Sequence, residues 1–271
     1  MFVRLQETLN GQVKNGWRRL PVLALAAVLV AGCATTEPVG DTPRKTVSAF
    51  SSAVAGGSLP PGWRPRQLSR FKTDTVYRLV TDPSGVTVVE ARAEQSASGL
   101  SKVLDIDPAA MPWINWRWHV PQPIHSADNH RRDLEDSPVR VIVTFDGDIG
   151  KLDFEERAMA DRLKALTGQS MPYATLMYIW ENKAIPHAVI ESPHTSRVKM
   201  IVAESGSTRS GEWVAYERNI ARDFEKAFGE KPGRIRSLGI MTDTDNTGES
   251  AVAYYGDIRF TPMPFTKVNN Q

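Results

Sequence analysis

Short runs of β-branched and aromatic residues, separated by turn residues, dominate the chain after residue 62. In a typical example, the turn sequence at 82–85 (Asp, Pro, Ser, Gly) separates a run at 75–81 from an alternating run at 86–93. Such runs predict β-strands that are half-buried. The other predicted strands cover residues 101–106, 113–120, 139–145, 175–180, 187–190, 198–203, 236–241 and 251–260.

Helical spacing of apolar residues occurs in only two segments, 154–166 and 217–228. Many strands with no regular helical connections predict a mainly β protein. We expect an antiparallel β-sandwich of the jelly-roll type with two short peripheral helices.

The amino terminus has the three-part layout of an export signal. A basic region ends at Arg18 and Arg19, and the apolar stretch that follows, residues 20–30, is too short to span a bilayer. The residues Val-Ala-Gly before Cys33 resemble the lipobox of bacterial lipoproteins. That resemblance implies cleavage before Cys33 and acylation of its thiol and new amino group, which anchors a protein stably. The alternative is an ordinary secretory signal in which Cys33 stands by chance.

This organisation predicts a signal peptide at 1–32, a lipidated Cys33 with a flexible tether at 33–61, and a single β-sandwich domain at 62–271. Ala34 follows the cysteine where an enterobacterial inner-membrane retention signal has Asp. We therefore expect a lipid-anchored protein of the bacterial cell envelope, at the outer membrane and facing the periplasm.

Charge and cysteine usage exclude two classes of protein. The chain has 33 basic and 31 acidic residues, and the predicted signal peptide holds four of the basic and one of the acidic ones. The remainder has 29 basic and 30 acidic residues, so it lacks the overall basic excess expected of a nucleic-acid partner. A single cysteine excludes a disulfide framework within the chain.

Strand alternation places a cation on the less apolar face of each of four predicted strands. If these faces belong to one sheet, they form a basic surface flanked by aromatic rings, which suits carboxylate or phosphate groups and sugar faces. The alternative is a solvated face whose cations pair with neighbouring acids. The candidate ligand-binding residues are Trp113, Arg117, Arg140, Lys199, Tyr255 and Arg259.

An acidic loop at 242–250 begins like a calcium-binding EF-hand loop. The match fails at Thr247, where an acid or Asn is usual, and at Tyr254, where a bidentate Glu is expected. A looser oxygen-ligand site for Ca²⁺ remains a hypothesis. The alternatives are a tight polar hairpin and a loop that binds sugar hydroxyls. The candidate metal ligands are Asp243, Asp245, Glu249 and Asp257.

No established catalytic motif occurs in the chain, so the sequence leaves open whether the protein is an enzyme. A polar loop at 125–136 carries His125, Asp128 and His130, but their spacing fits no zinc template. Carboxylates in 133–136 and 243–249 are the candidates for an acid–base pair.

Several segments resemble the DUF3047 family, a bacterial family of exported domains of unknown function. The resemblance extends over about 63–260 and is most specific at 240–250 and 253–260. It implies one domain of conserved length, and it carries no agreed activity. The closing sequence Asp-Ile-Arg-Phe at 257–260 also resembles the last strand of galactose-binding-like jelly rolls, which bears on fold.

These observations favour an envelope lipoprotein that binds a carbohydrate, with an anionic polysaccharide as the expected ligand. One alternative is a glycan-cleaving hydrolase or lyase on the same scaffold. Another is a structural or assembly lipoprotein that binds a protein partner.

Overall fold

The computed structural model describes residues 45–167 and 170–265. Residues 41–271 form one compact unit, and the hydrophobic core of the described residues lies within it. Cys33 and the predicted signal peptide lie outside the described residues. In the described part of the chain, no helix is long and apolar enough to cross a membrane.

The described residues of this unit form thirteen strands and two α-helices. The helices are α1 (Phe154–Thr167) and α2 (Ile220–Phe228). The strands are β1 (Arg64–Gln67), β2 (Val76–Thr81), β3 (Thr87–Glu94), β4 (Ala97–Ile106), β5 (Trp113–His119), β6 (Ser137–Phe145), β7 (Ala174–Glu181), β8 (Val189–Ser192), β9 (Thr195–Ser205), β10 (Trp213–Asn219), β11 (Ile235–Asp243), β12 (Ser250–Tyr255) and β13 (Arg259–Thr261).

Two sheets form a sandwich. One has seven strands in the order β1-β4-β11-β6-β7-β9-β8, and the other has six in the order β10-β5-β12-β3-β2, with β13 paired to β5. All pairs are antiparallel except β7 with β9. The inner faces of both sheets contribute to one core cluster. The predicted mainly β sandwich with two helices is confirmed.

Alternation along β5 positions both the core and the site. Ile114, Trp116 and Trp118 point inward and are buried, whereas Asn115 and Arg117 lie on the outer face and are half-buried. The ring of Trp116 lies 4.6 Å from that of Tyr178 on β7 in the opposite sheet, so this face of β5 joins the two layers.

The predicted strand at 251–260 is two strands, β12 and β13. In β12, Ala253 and Tyr255 face the core, although Val252 and Tyr254 look like the more apolar set in the sequence. The irregular residues 256–258 change the phase, so Ile258 returns to the core while Arg259 of β13 is exposed. A one-residue change of phase moves every later side chain to the other face.

Part of the predicted tether lies against the sandwich. A 3₁₀ helix at Phe50–Ser52 buries Phe50, whose ring centroid is 4.7 Å from that of Trp63. The indole N–H of Trp63 donates to the backbone oxygen of Ser48. The residues from about 47 onward are therefore packed on the domain that the sequence analysis began at residue 62.

Helix α2 begins three residues later than predicted because residues 213–219 form β10. The Asn219 side chain caps the helix by accepting from the backbone N–H of Arg222. Phe224 packs on Phe145 of the seven-stranded sheet at 4.5 Å between ring centroids. Gly229 ends the helix at φ 72°, a conformation that favours glycine.

Candidate functional site

A groove of about 420 Å³ lies on the outer face of the six-stranded sheet, where β10, β5 and β13 are adjacent. Two cations and two carboxylates are among the residues that line it. Its lining residues are Asn115, Trp116, Arg117, Ala215, Tyr216, Glu217, Asp257, Arg259 and Phe265. This mixture of polar groups with aromatic surface is typical of sites that bind polar ligands.

Arg117 is held in a fixed position at the centre of the groove. Its guanidinium group lies 4.2 Å from the ring centroid of Trp213, and its Nη2 donates to Asp82 Oδ2 at 2.9 Å. Its aliphatic stem crosses Gly256, where an added Cβ would come within 2.5 Å of Arg117 Cγ. The glycine thus leaves the space that the arginine occupies.

The carboxyl group that holds Arg117 is itself strongly bonded. Burial alone would raise the pKa of Asp82, but hydrogen bonds from Ser84, Val86 and Arg117 outweigh it and lower the pKa to about 2. The Ser84 hydroxyl donates to Asp82 Oδ1 at 2.6 Å, and the backbone N–H of Val86 donates to the same oxygen at 3.0 Å. The Asp82 carboxylate therefore holds both the turn between β2 and β3 and the Arg117 side chain of the groove.

An acid denaturation experiment tests this anchor. Because the pKa of Asp82 is lower in the folded chain, the unfolded chain binds more protons between about pH 4 and pH 2, and the stabilisation is lost as the pH falls through that range. We expect Asp82→Asn to remove about 2 kcal/mol of stability at pH 7 and to flatten the acid limb of the pH–stability curve. Parallel curves for wild type and variant would contradict the assignment.

Arg259 is the most accessible cation of the groove. Its side chain is 53% exposed, and its Nη2 donates to Asp257 Oδ2 at 3.1 Å, while its other nitrogens bond no described residue. Asp257 also accepts from the backbone N–H and hydroxyl of Ser51, so its direction is fixed by the amino-terminal segment. Arg259 thus offers N–H donors to the groove, and its bond to the fixed Asp257 carboxylate limits its movement.

The structure does not bring the four predicted cations onto one face. Arg117 and Arg259 belong to the six-stranded sheet, whereas Arg140 and Lys199 belong to the seven-stranded sheet, on β6 and β9. Lys199 shares the side of β9 that carries the core residue Ile201, and its ammonium group pairs with Glu191. The prediction of a single basic surface is wrong, because strand alternation does not determine which strands share a sheet.

Two of the predicted ligand-binding residues are buried. Arg140 is 2% exposed, and its Nε and Nη2 donate to the two carboxylate oxygens of Asp243 at 2.8 and 3.0 Å. Tyr255 is 1% exposed, and its hydroxyl donates to the backbone oxygen of Met241 at 2.6 Å. Tyr255 thus links the two sheets, whereas the Arg140 side chain bonds β11 of its own sheet, and both are too deeply buried to contact a ligand. Trp113 lies on the outer face of β5, two residues from Asn115 of the groove.

The four predicted metal ligands do not converge. Glu249 accepts from the backbone N–H groups of His125 and Ser126, and Asp257 lies in the groove. Among described residues, the acidic oxygens that do converge are those of Asp136, Asp243 and Asp245, within 4.8 Å of one another. In that group the Arg140 guanidinium already bonds both oxygens of Asp243 and Lys72 pairs with Asp245, so Ca²⁺ would have to displace cations that are present.

The carboxylates considered for acid–base chemistry are bonded within the fold. Asp136 accepts from the backbone N–H of Thr247 at 2.7 Å, and Asp133 forms a bidentate pair with Arg131. Despite the Arg140 guanidinium, burial raises the pKa of Asp243 to about 6. The bond from Thr247 to Asp136 connects the 125–136 loop to the 243–249 loop.

Strand β10 brings the groove residues that the sequence analysis missed. Ala215, Tyr216 and Glu217 line the groove, and Trp213 on the outer face of the same strand contacts the Arg117 guanidinium. Glu217 also accepts from the backbone N–H of Phe265. The alternating pattern at 213–219 indicates a strand, but a helical pattern follows it with no turn residues between them. Those residues were therefore assigned in part to the helix.

Comparison with known proteins identifies a family, and two solved structures that match share little sequence with this chain. Among solved structures, the arabinose-bound GH51 α-L-arabinofuranosidase MgGH51 shares 8% identity at TM-score 0.37, over 79% of this chain and 25% of that one. The family 30 carbohydrate-binding module of the Clostridium thermocellum cellulosomal cellulase Cel9D-Cel44B shares 8% identity at TM-score 0.33, over 82% of this chain and 95% of that one. This chain thus spans about a quarter of the arabinofuranosidase, and at these scores neither structure bears on its function.

The search of curated proteins found no match. A family model described as "Protein of unknown function (DUF3047)" matches residues 61–259, which include β1–β12 and most of the groove. Because this match covers most of the chain, the protein belongs to the DUF3047 family.

Proposed function

We propose that this protein is a lipid-anchored envelope protein that binds a carbohydrate in the groove on the outer face of its six-stranded sheet. The observation that carries the proposal is the row of fixed polar side chains in that groove. Arg117, Arg259 and Asn115 offer N–H donors, and Glu217 and Asp257 offer acceptors. Sugar hydroxyl groups need both kinds of partner.

Acidic sugars are the ligand class that Arg259 favours. Its guanidinium group is exposed and has N–H groups that bond no described residue, so it can hold a carboxylate with two parallel hydrogen bonds. The groove also offers donors and acceptors that bond hydroxyl groups whatever the charge of the sugar, so neutral sugars can bind in it as well. Acidic glycans should therefore bind more tightly than neutral ones by an amount that depends on Arg259.

Anchoring through acylated Cys33 is the second part of the proposal. The sequence Val-Ala-Gly-Cys33 supports it, and the described chain begins twelve residues after that cysteine. An anchored sandwich with an open groove would hold envelope polysaccharide close to the membrane. Metabolic labelling with a fatty acid tests this part, and Cys33→Ser should abolish the label.

A retention assay with acidic and neutral envelope polysaccharides tests the binding. We expect Arg259→Ala to weaken retention of acidic glycans about 10-fold or more, because a charge-assisted hydrogen bond contributes about 1.5–3 kcal/mol. Asn115→Ala should weaken the retention of acidic and neutral glycans to the same extent. The matched control is Arg131→Ala, since Arg131 is also an exposed arginine bonded to an Asp two residues away but lies outside the groove.

Each alternative predicts a different result in the same samples. Shortening of the glycan chains would show that the protein is a glycan-cleaving enzyme and not only a binding protein. Unchanged retention in Arg259→Ala and Asn115→Ala would show that the groove is not the site. No retention of any glycan, together with a co-purifying protein, would favour a structural or assembly role.

A further inference from the structure

Residues 64–72 form a basic segment with exposed apolar side chains, and this segment is not part of the groove. It reads Arg-Pro-Arg-Gln-Leu-Ser-Arg-Phe-Lys and contains four cations and no acid. Every residue in it except Ser69 is exposed. We call it the basic segment, and we propose that it binds the surface of an anionic lipid membrane.

The position of the basic segment in the fold leaves it accessible. Its first four residues are strand β1, which is the edge of the seven-stranded sheet and pairs only with β4. The remaining residues form the connection to β2, at the edge of the other sheet. The segment thus lies at a sheet edge and in an exposed connection, where a membrane surface can contact it.

The charges of the basic segment are only partly matched within the protein. Arg66 and Arg70 form no ion pair with any described residue, and Lys72 pairs with Asp245 while remaining 40% exposed. Each cation near an anionic bilayer surface contributes about 1 kcal/mol to binding at moderate ionic strength. Several cations together are enough for a specific preference for anionic over neutral lipid.

The apolar side chains distinguish a membrane from a soluble polyanion. Phe71 is 83% exposed and Leu68 is 48% exposed, and the guanidinium group of Arg70 lies 4.7 Å from the centroid of the Phe71 ring. An acidic polymer in water would leave the phenylalanine ring exposed. At a bilayer surface the ring can enter the boundary between headgroups and acyl chains while the cations remain among the headgroups.

The first described residues of the chain lie beside this segment. The backbone oxygen of Ser48 accepts from the indole N–H of Trp63, the residue directly before the basic segment. The proposal itself does not depend on glycan binding in the groove.

Vesicle binding of the compact unit 41–271, which has its own hydrophobic core, tests the proposal without the predicted acyl anchor. Vesicles of phosphatidylcholine are compared with vesicles in which part of that lipid is replaced by phosphatidylglycerol. We expect binding only to the anionic vesicles, with a loss at high salt. The variant Arg66→Gln/Arg70→Gln should bind about 30-fold more weakly. The control Arg131→Gln/Arg209→Gln removes two exposed cations elsewhere and should bind like wild type.

A single fluorophore tests whether the apolar side chain enters the bilayer. The unit 41–271 has no cysteine, so Phe71→Cys provides one labelling site, and Phe154→Cys is the matched control because Phe154 is also largely exposed. We expect the emission of a polarity-sensitive dye at position 71, and not at 154, to shift to the blue on anionic vesicles. Equal binding to both vesicle types, or equal effects of the two double variants, would overturn the proposal. Binding to dextran sulfate with no shift at position 71 would instead assign the segment to a soluble polyanion.

Discussion

Replacing Arg140 by methionine is expected to lower the free energy of unfolding by about 3–5 kcal/mol at pH 7.5, because the carboxylate of Asp243 would remain buried without its partner. For a compact unit of this size, that loss corresponds to a decrease in Tm of roughly 10 °C. Urea unfolding followed by circular dichroism measures the loss directly.

The chain contains a matched control for this substitution. Arg131 and Asp133 form a bidentate pair of the same kind, through Nε and Nη2, but the two side chains are 57% and 67% exposed. Arg131→Met should therefore change stability by less than about 1 kcal/mol. Similar losses in the two variants would show that burial is not the source of the effect.

The cost of Arg140→Met should also depend on pH. Burial already raises the pKa of Asp243 to about 6 in the folded wild type, and removal of the guanidinium group raises it further. Below the unfolded pKa of about 3.9 the carboxyl group is neutral in both states, so its cost disappears there and grows as the pH rises. The double variant Arg140→Met/Asp243→Leu should recover most of the loss at pH 7.5, because it leaves no buried charge.

Replacing Trp118 by alanine is expected to cost about 3–5 kcal/mol, since its side chain is fully buried between the sheets. Its ring lies 5.5 Å from that of Trp116 and 5.2 Å from that of Tyr216, and the space left behind would have rigid aromatic walls. Thermal and urea unfolding of the variant measure the loss.

Trp113 on the same strand is the control for Trp118. It lies on the opposite face of β5 and is half-buried, so Trp113→Ala should cost about 1 kcal/mol or less. If the two substitutions cost the same, β5 would not have one buried and one solvent-facing side. The comparison therefore tests the alternation that places Arg117 in the groove.

The strands that the sequence predicted best are those in which one face is clearly more apolar. In β6, for example, Val139, Val141 and Val143 all enter the core as their alternation indicates. Prediction failed in β12, where both faces carry aromatic or aliphatic residues. There the structure buries Tyr255, and its neighbour Tyr254 remains on the outer face.

The candidate site was harder to predict than the fold. The sequence identified Arg117 and Arg259 as residues on outer strand faces, and the structure places both in the groove. It also suggested Arg140, which has the same alternation but lies in the other sheet and is buried against Asp243. An arginine on an outer face and an arginine in a buried ion pair look the same in a one-dimensional pattern.

By itself, the sequence determined the mainly β class, most of the strands, and the family, because these depend on local alternation and on motifs within one segment. Only the tertiary structure decided which strands share a sheet and which polar residues meet. Asp82 and Arg117, or Arg140 and Asp243, are far apart in the chain, and their contacts follow from strand order. Strand order is set by packing of the whole core, which no short stretch of sequence encodes.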